Sequence, residues 1–370
     1  MNSFSIKLPD SGITRYYMLS FISLIDYDNI SSLNIVDGKI NIVSKSALVS
    51  ELFADIFSKV SRNLRNYLEV SEKKHVEVPA SGNDKKIFDK LRSDMNLPSD
   101  SSFVEIFEAY AEHLKKVGDA EFNTEMNDEG VYSSPSIFRP ELYSLTRGPF
   151  FNGRLGSENV RYETDKHPIG AFLVRLGGYV ISRAGFTITR EMGNIKYLTV
   201  LVLPLSTEFT RWNFESLINR LRGEKLPGLS PEEGIIMWLA LQLPDIEYDL
   251  LVVGMENPSG QVPAKIKIGL HAPLREYRFR AERFLSKIRQ LGMEEDLKRL
   301  ICDASIDNES TVPTNLLHLL FLASQGDRNA TDELLLRASK IWVTSSEEDR
   351  QKAHVKFSKR VLYILSPLCP

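Results

Sequence analysis

Cysteine is scarce in this sequence of 370 residues, which contains only Cys302 and Cys369. Two cysteines argue against a disulfide framework and against a four-cysteine zinc site, and they favour an intracellular, cytoplasmic protein. Glutamine is also rare, with five in the chain, and low Gln and Cys are typical of thermophile proteins. No apolar run approaches the roughly 18–20 residues that cross a bilayer, and no signal-peptide pattern opens the chain. We therefore expect no membrane association.

The common catalytic motifs are missing as well. The sequence has no phosphate-binding GxxxxGK[ST] loop, no GxGxxG, no HExxH and no GxSxG. Its six histidines are scattered, and none has a His or Cys partner at metal-ligand spacing. His318 stands in the apolar run NLLHLLFLA, where a hydrogen-bonded core histidine is expected. We therefore predict a protein that is not an enzyme and that holds no cofactor and no metal.

One pattern imitates a metal-dependent nuclease and is kept as an alternative. Asp10, Asp37 and Lys39 mimic a signature in which carboxylates hold a divalent cation and a lysine supports the attacking water. Asp37-Gly38, however, lies between two alternating apolar runs, which is a strong signal for a hairpin turn. The tip of a turn directs its side chains into solvent instead of converging them on a metal.

Hydrophobic periodicity indicates an α+β fold. The N-terminal part, residues 1–272, is predicted to be mixed α/β with antiparallel strands, and it allows a subdivision near 120–138. Its main features are a helix over 46–70, a capping box at Ser102 and Glu105, an exposed loop over 118–136, strands over 171–190 and 196–205, helices over 212–222 and 232–243, and a strand pair within 248–270. Residues 273–370 are predicted to form a C-terminal helical bundle, with helices over 276–291, 294–302, 312–325, 330–343 and 347–365.

Charge is distributed unevenly along the chain, whose net charge is −3. Residues 139–225 hold 13 Lys and Arg against 8 Asp and Glu, a net charge of +5. Residues 265–302 hold 10 against 5, again +5, and residues 226–264 between them hold six acids and no Lys or Arg. Such segregation can support a nucleic-acid surface on an otherwise acidic protein. Ordinary fluctuation along a long chain is the alternative.

The first basic block begins with RPELYSLTRGPFFNGRLGSENVR, residues 139–161, where arginines recur every seven or eight residues among aromatics and glycines. Arginine grips phosphate bidentately, aromatics stack on unpaired bases, and glycine lets backbone amides approach a phosphate. The candidate contacts with nucleic acid in this block are Arg139, Arg147, Asn152, Arg154, Arg161, Lys166 and Arg175. A surface loop with incidental salt bridges is the alternative.

The second basic block is a predicted amphipathic helix over 276–291. Tyr277, Ala281, Phe284, Leu285, Ile288 and Leu291 fall on one face of its helical wheel. The candidate nucleic-acid contacts on the remaining surface are Arg278, Arg280, Arg283 and Lys287. The last helix repeats the design with Lys352, Lys356, Lys359 and Arg360. Such faces can follow a nucleic-acid backbone without reading sequence, although an acidic protein partner and plain solubility remain open.

Two segments carry a family resemblance. SIFRPELYSLTRGPFFNGRLGSENVRYETDKHPIGAFLVRLGGYVISRAGF and YDLLVVGMENPSGQVPAKI, ahead of the helical region, resemble the large subunit of archaeal type I-A CRISPR interference (Cascade) complexes. The similarity extends over most of the chain as a layout, with diffuse motifs and no short invariant signature. It therefore assigns no role to individual residues.

The resemblance implies a non-catalytic subunit of an RNA-guided DNA surveillance complex. Its expected partners are CRISPR RNA, target DNA, the backbone, RNA-end-capping and small subunits, and the nuclease-helicase. Large subunits help to inspect the motif that flanks the target, hold opened DNA and recruit the nuclease-helicase, while guide pairing reads most of the sequence. A protein-interaction scaffold without nucleic-acid contact is a further alternative.

Overall fold

The computed structural model describes residues 3–9, 12–45, 48–70, 77–142, 166–191, 194–206, 214–229, 232–243, 248–306, 314–348 and 353–365. The chain divides into two compact units. Unit 1 comprises Met1–Ala184, Thr199–Gly223 and Leu251–Gly269, and unit 2 comprises Gly185–Leu198, Glu224–Leu250 and Leu270–Pro370. The sequence-based boundary near residue 272 stays a prediction.

A three-stranded antiparallel sheet opens unit 1. Its strands are β1 (Ser3–Lys7), β2 (Ile30–Val36) and β3 (Lys39–Ser44), in the order β1-β3-β2. Asp37 and Gly38 join β2 to β3 with φ angles of 50° and 69°. Positive φ at both central residues is the geometry that a tight hairpin turn needs, and Asp and Gly tolerate it. The predicted hairpin is therefore confirmed.

The helices of unit 1 surround an aromatic core. They are α1 (Ile13–Ile22), α2 (Val49–Val70), α3 (Gly82–Asp94), α4 (Phe103–Leu114), α5 (Asp119–Asn127), α6 (Ile169–Ser182) and α7 (Phe214–Arg222). Helix α1 packs on α6, and α2 packs on α4. The Phe21 and Phe57 rings lie 4.7 Å apart between α1 and α2. The predicted capping box is confirmed, because the Ser102 hydroxyl accepts a hydrogen bond from the Glu105 N–H, and the Glu105 carboxylate accepts one from the Ser102 N–H.

Two sequence-based assignments in the first half of the chain were wrong. The strand predicted over 171–190 is helix α6 followed by strand β7 (Arg183–Glu191). Every residue of α6 from Gly170 to Ser182 is buried, so the segment has no polar face to set a period, and periodicity cannot separate a buried helix from a buried strand. The loop predicted over 118–136 contains α5, which buries Phe122 and Met126 one turn apart.

The remaining strands form two further sheets. The short strands β4 (Tyr132–Ser133) and β6 (Lys166–His167) pair antiparallel. The larger sheet has the order β5-β10-β9-β8-β7, with β5 (Glu141–Leu142), β8 (Asn194–Pro204), β9 (Leu250–Glu256) and β10 (Lys265–Ala272). The predicted neighbours β9 and β10 are adjacent in it.

Unit 2 contains the C-terminal helices. They are α8 (Glu232–Gln242), α9 (Leu274–Gln290), α10 (Glu294–Ile306), α11 (Thr314–Ser324), α12 (Arg328–Thr344) and α13 (Ala353–Leu365). Helix α8 packs on α9, α10 and α11, while α13 packs on α10 and α12. The Tyr277 and Phe321 rings stack at 5.1 Å, and Trp238 is fully buried. The α+β class with a helical C-terminal part is confirmed.

One expectation within this bundle was wrong. His318 is exposed on α11, with Nδ1 2.9 Å from a carboxylate oxygen of Glu233. Because the residues on both sides of His318 are apolar, the sequence did not reveal the narrow polar edge of the helix on which it lies. Among the described residues, no helix is long and apolar enough to span a bilayer.

Candidate nucleic-acid interface

Helix α9 is amphipathic, as its sequence predicts. Its buried side chains are Leu274, Tyr277, Ala281, Phe284, Leu285 and Ile288. Leu291, which was assigned to the same face, follows the helix and is 40% exposed. The apolar stripe fixes the rotation of α9 against unit 2, because turning the helix would expose that stripe. The opposite side is therefore held out to solvent in a defined orientation.

Four exposed residues on α9 recur at intervals of four. Arg275, Phe279, Arg283 and Lys287 form a continuous ridge along the helix, named here the α9 ridge. At the rise of an α-helix it is about 18 Å long. Phe279 is 83% exposed, the highest value among the large hydrophobic residues described. An aromatic face thus stands between two cations on one side and a third on the other.

The charges on α9 differ in how they are partnered. Arg280 pairs with Glu276 at 2.5 Å, and Arg289 pairs with Glu294 at 3.0 Å. Arg278 is half-buried, with Nη2 3.5 Å from the carbonyl oxygen of Ala240. Within the described ranges, the three cations of the α9 ridge have no ion-pair partner.

These contacts refine the four candidates on this helix. Arg283 and Lys287 are exposed and unpaired, whereas Arg280 is engaged with a carboxylate and Arg278 is half-buried. Sequence reasoning missed Arg275 and Phe279. The helical wheel carried the signal for Phe279, which lies four residues from Arg283 and away from the apolar stripe, whereas Arg275 precedes the predicted helix.

The ridge has the chemistry of a backbone-binding surface. Unpaired Arg and Lys bind phosphates and release counterions. An exposed aromatic ring stacks on an unpaired base of any identity. Nothing in this set of four reads the edge of a particular base, so the ridge suits binding without sequence specificity.

Helix α13 carries a smaller basic surface in the same unit. Lys356, Lys359 and Tyr363 are exposed at spacings of three and four residues. Lys359 Nζ lies 5.3 Å from the centre of the Trp342 ring, a cation–π contact. Arg360 is engaged with Asp303 at 2.6 Å, and Lys352 lies outside the described residues.

The candidates of the first basic block are placed differently. Arg139 is half-buried, Lys166 is exposed on β6, and Arg175 is buried in α6 with Nη1 donating to the carbonyl oxygen of Ala171 at 3.0 Å. Burial of Arg175 does not suit contact with a phosphate at the surface. The remaining four lie outside the described residues: Arg147, Asn152, Arg154 and Arg161.

Two other arginines in unit 1 have a structural role. Arg222 donates to the carbonyl oxygens of Arg183 and Val180 at 2.7 and 3.1 Å, so it closes the C-terminus of α6. The guanidinium groups of Arg183 and Arg222 lie 4.3 and 4.8 Å from the centre of the Tyr67 ring. Burial, and then the charge of Arg183, lower the pKa of Arg222. Arginine in the first basic block, residues 139–225, therefore stabilises a helix end as well as contributing to the surface charge.

The nuclease alternative gains nothing from the hairpin geometry. Asp37 and Lys39 are both exposed at the tip of the β2–β3 turn, and Asp10 lies outside the described residues.

A different group of potential metal ligands lies between α4 and α5. The ligand atoms of His113, Glu121 and Glu125 lie within 4.8 Å of one another. Sequence spacing missed this group because a histidine was compared only with other histidines and with cysteines.

Comparison with known proteins gives one family. The family model described as CRISPR-associated protein, CsaX, matches residues 49–336. The match covers more than half of the chain and includes most of both compact units. No curated protein matches the chain.

Proposed function

Because the chain belongs to the CsaX family of CRISPR-associated proteins, we propose that it is a non-catalytic large subunit of an RNA-guided DNA surveillance complex. In this role it holds nucleic acid on the α9 ridge. Membership of the family implies partners within a CRISPR system. The proposal adds the identity of those partners: CRISPR RNA, target DNA, the other subunits of the interference complex and its nuclease-helicase.

The α9 ridge is the observation that carries the proposal. Its cations are unpaired among the described residues, and its ring is 83% exposed. Leaving a Phe side chain in water sacrifices most of the hydrophobic stabilisation that burial would give, which is of the order of 2 kcal/mol. Stability of the fold therefore does not explain an exposed phenylalanine at position 279, whereas stacking on a base would.

The ridge fits one part of the work of a large subunit. Guide pairing reads the target sequence, so the protein needs contacts with the backbone and with bases that pairing has released. Cations and a stacking ring meet that need. Inspection of the flanking motif and recruitment of the nuclease-helicase belong to the same proposal. The arginine-rich segment 139–161 is the candidate for inspecting the flanking motif.

Binding to single-stranded and duplex DNA across a salt series tests the proposal. We expect micromolar or weaker binding at physiological salt, with a steep dependence on salt concentration. Arg283→Ala/Lys287→Ala should reduce the slope of log K against log salt by roughly 1.4 for single strands and 1.8 for duplex, since each lost phosphate contact contributes about 0.7 or 0.9. Lys85→Ala/Lys86→Ala is the matched control, because it removes two exposed lysines from α3.

Phe279→Ala separates stacking from charge. It should weaken single-strand binding about 5- to 150-fold, the equivalent of 1–3 kcal/mol for one stacked base, and leave duplex binding and the melting temperature nearly unchanged. Arg147→Ala/Arg154→Ala examines the arginine-rich segment in the same assay. An absence of binding at low salt, or equal slopes for the ridge variant and the α3 control, would contradict the proposal and favour the protein-interaction scaffold.

A further inference from the structure

The group between α4 and α5 is built around one carboxylate. Nε2 of His113 lies 2.6 Å from Oε1 of Glu125, and the hydroxyl of Tyr110 donates to Oε2 of Glu125 at 2.6 Å. Glu121 lies one helical turn before Glu125 on α5 and directs a second carboxylate toward the same imidazole. Both oxygens of Glu125 are thus held, while Glu121 is exposed.

Two carboxylates this close repel each other unless a cation lies between them. Among the described residues, neither Glu121 nor Glu125 pairs with a Lys or Arg, and Glu121 makes no hydrogen bond or ion pair. The two carboxylates together carry a charge of about −2, which a divalent cation would cancel. The hydrogen bond between His113 and Glu125 explains their contact without a metal, but no such contact explains the position of Glu121.

We propose that His113, Glu121 and Glu125 bind a divalent transition-metal ion, with Zn²⁺ as the best fit. One imidazole nitrogen and two carboxylate oxygens are ligands that zinc accepts, and a fourth position is left for water. Ligand atoms around tetrahedral zinc stand about 3.4 Å apart. Binding therefore requires Nε2 of His113 and Oε1 of Glu125, which lie 2.6 Å apart, to separate slightly, and the exposed Glu121 side chain to close a separation of up to 4.8 Å. The metal takes the place of the proton that joins His113 to Glu125.

Tyr110 supplies the support that metal ligands need. It is 1% exposed, and its hydroxyl fixes the orientation of the Glu125 carboxylate. Gly170 is needed here too, because a Cβ at this position would lie 2.8 Å from the Tyr110 hydroxyl.

The site would clamp a short helix onto a long one. Helix α5 has only nine residues and buries two large apolar side chains, so its own contribution to stability is small. A metal that joins Glu121 and Glu125 to His113 ties both turns of α5 to α4. This inference does not depend on nucleic-acid binding, and its test is independent of the DNA assays.

The test uses the full chain after treatment with a chelator and its removal. Zn²⁺ is titrated by calorimetry, and Co²⁺ is titrated by visible absorption as a probe of coordination. We expect one ion per chain and a higher melting temperature with zinc. Glu121→Gln removes one of the two repelling carboxylates, so it should keep or slightly raise the metal-free melting temperature, and it should weaken zinc more than about tenfold. Glu112→Gln is the control on α4, since Glu112 pairs with Lys115 outside the group.

A gain-of-function variant keeps the test decisive. Glu121→His restores a ligand of the kind that zinc prefers, so it should recover zinc binding and shift the Co²⁺ spectrum toward a second nitrogen ligand. Zinc affinity that is equal in the wild type and Glu121→Gln would place the ion elsewhere and overturn the proposal. So would the absence of binding in the wild-type chain.

Discussion

Gly178→Ala should destabilise unit 1 through a contact between two backbones. An ideal Cβ at Gly178 on α6 would lie 1.8 Å from the carbonyl oxygen of Tyr17 on α1. Contacts of a Cβ below 3.0 Å are essentially never seen, so the two atoms must separate by at least 1.2 Å, the difference between those distances. A backbone oxygen inside a helix cannot rotate away, so α1 and α6 must move apart as bodies.

The expected cost follows from two opposing effects. Replacing Gly by Ala in a helix stabilises it by about 1 kcal/mol. Overpacking costs about 1–3 kcal/mol when side chains can adjust, and more when backbones must separate. We therefore expect Gly178→Ala to lower the free energy of unfolding by about 2–4 kcal/mol. Gly177→Ala is the matched control, because its Cβ meets ring atoms of Phe21 at 2.9 and 3.0 Å, and a ring can tilt.

Chemical denaturation measures both variants, and hydrogen exchange of peptides from α1 and α6 assigns the loss to this helix pair. Gly177→Ala should stay within about 1 kcal/mol of the wild type, since its helix propensity offsets a softer contact. If Gly178→Ala is as stable as Gly177→Ala, the close approach of α1 to Gly178 is refuted.

Three further predictions concern other parts of the chain. Arg222→Met should lower the free energy of unfolding by about 2–4 kcal/mol in a denaturant titration, because two carbonyl oxygens at the end of α6 lose their donor. Arg222→Lys should recover only part of that stability, since a lysine cannot donate to both carbonyls as the planar guanidinium does, and full recovery would contradict this contact. Burial raises the pKa of the Cys302 thiol from 9.0 to about 11, so in a Cys369→Ser chain a thiol reagent should label it roughly 100-fold more slowly than in urea. Because the unfolded thiol loses its proton first, the stability difference between that chain and its Cys302→Ser derivative should decline as pH rises from 9 to 11. Asp37→Ala should lower the free energy of unfolding by about 1 kcal/mol, because Asp37 has a positive φ, and Asp37→Asn should lower it much less. Neither variant should change the products when the protein is incubated with DNA and Mg²⁺, and a change would support the nuclease alternative.

Sequence patterns predicted the parts of the fold that local rules decide. The Asp37-Gly38 hairpin and the box at Ser102 each depend on a few adjacent residues. Helix α6 was missed because it is buried on all sides, and its pairing with α1 depends on Gly177 and Gly178, which only the tertiary contact explains. Helix α5 was missed because its Asp and Asn residues resemble those of a loop.

The candidate interface was predictable to a similar depth. The helical wheel of α9 predicted the buried apolar stripe, since the stripe depends only on the helical period of the apolar residues. Whether a cation is free or engaged depends on neighbours, so Arg278 and Arg280 could not be told apart from Arg283 by sequence. His113 meets Glu121 and Glu125 only because α4 and α5 fold back on each other.

Helix α12 offers a comparison that bears on why α9 carries its ridge. It belongs to the same unit and also exposes apolar side chains, with Leu336 at 71% and Val343 at 79%. Its exposed charges, however, are mixed in sign, and Arg337 is paired with Glu333. Mixed and paired charges are enough for solubility. Since α12 meets that requirement without a row of unpaired cations, solubility alone does not require Arg275, Arg283 and Lys287 on either side of an exposed ring. The polyanionic ligand proposed above would account for them.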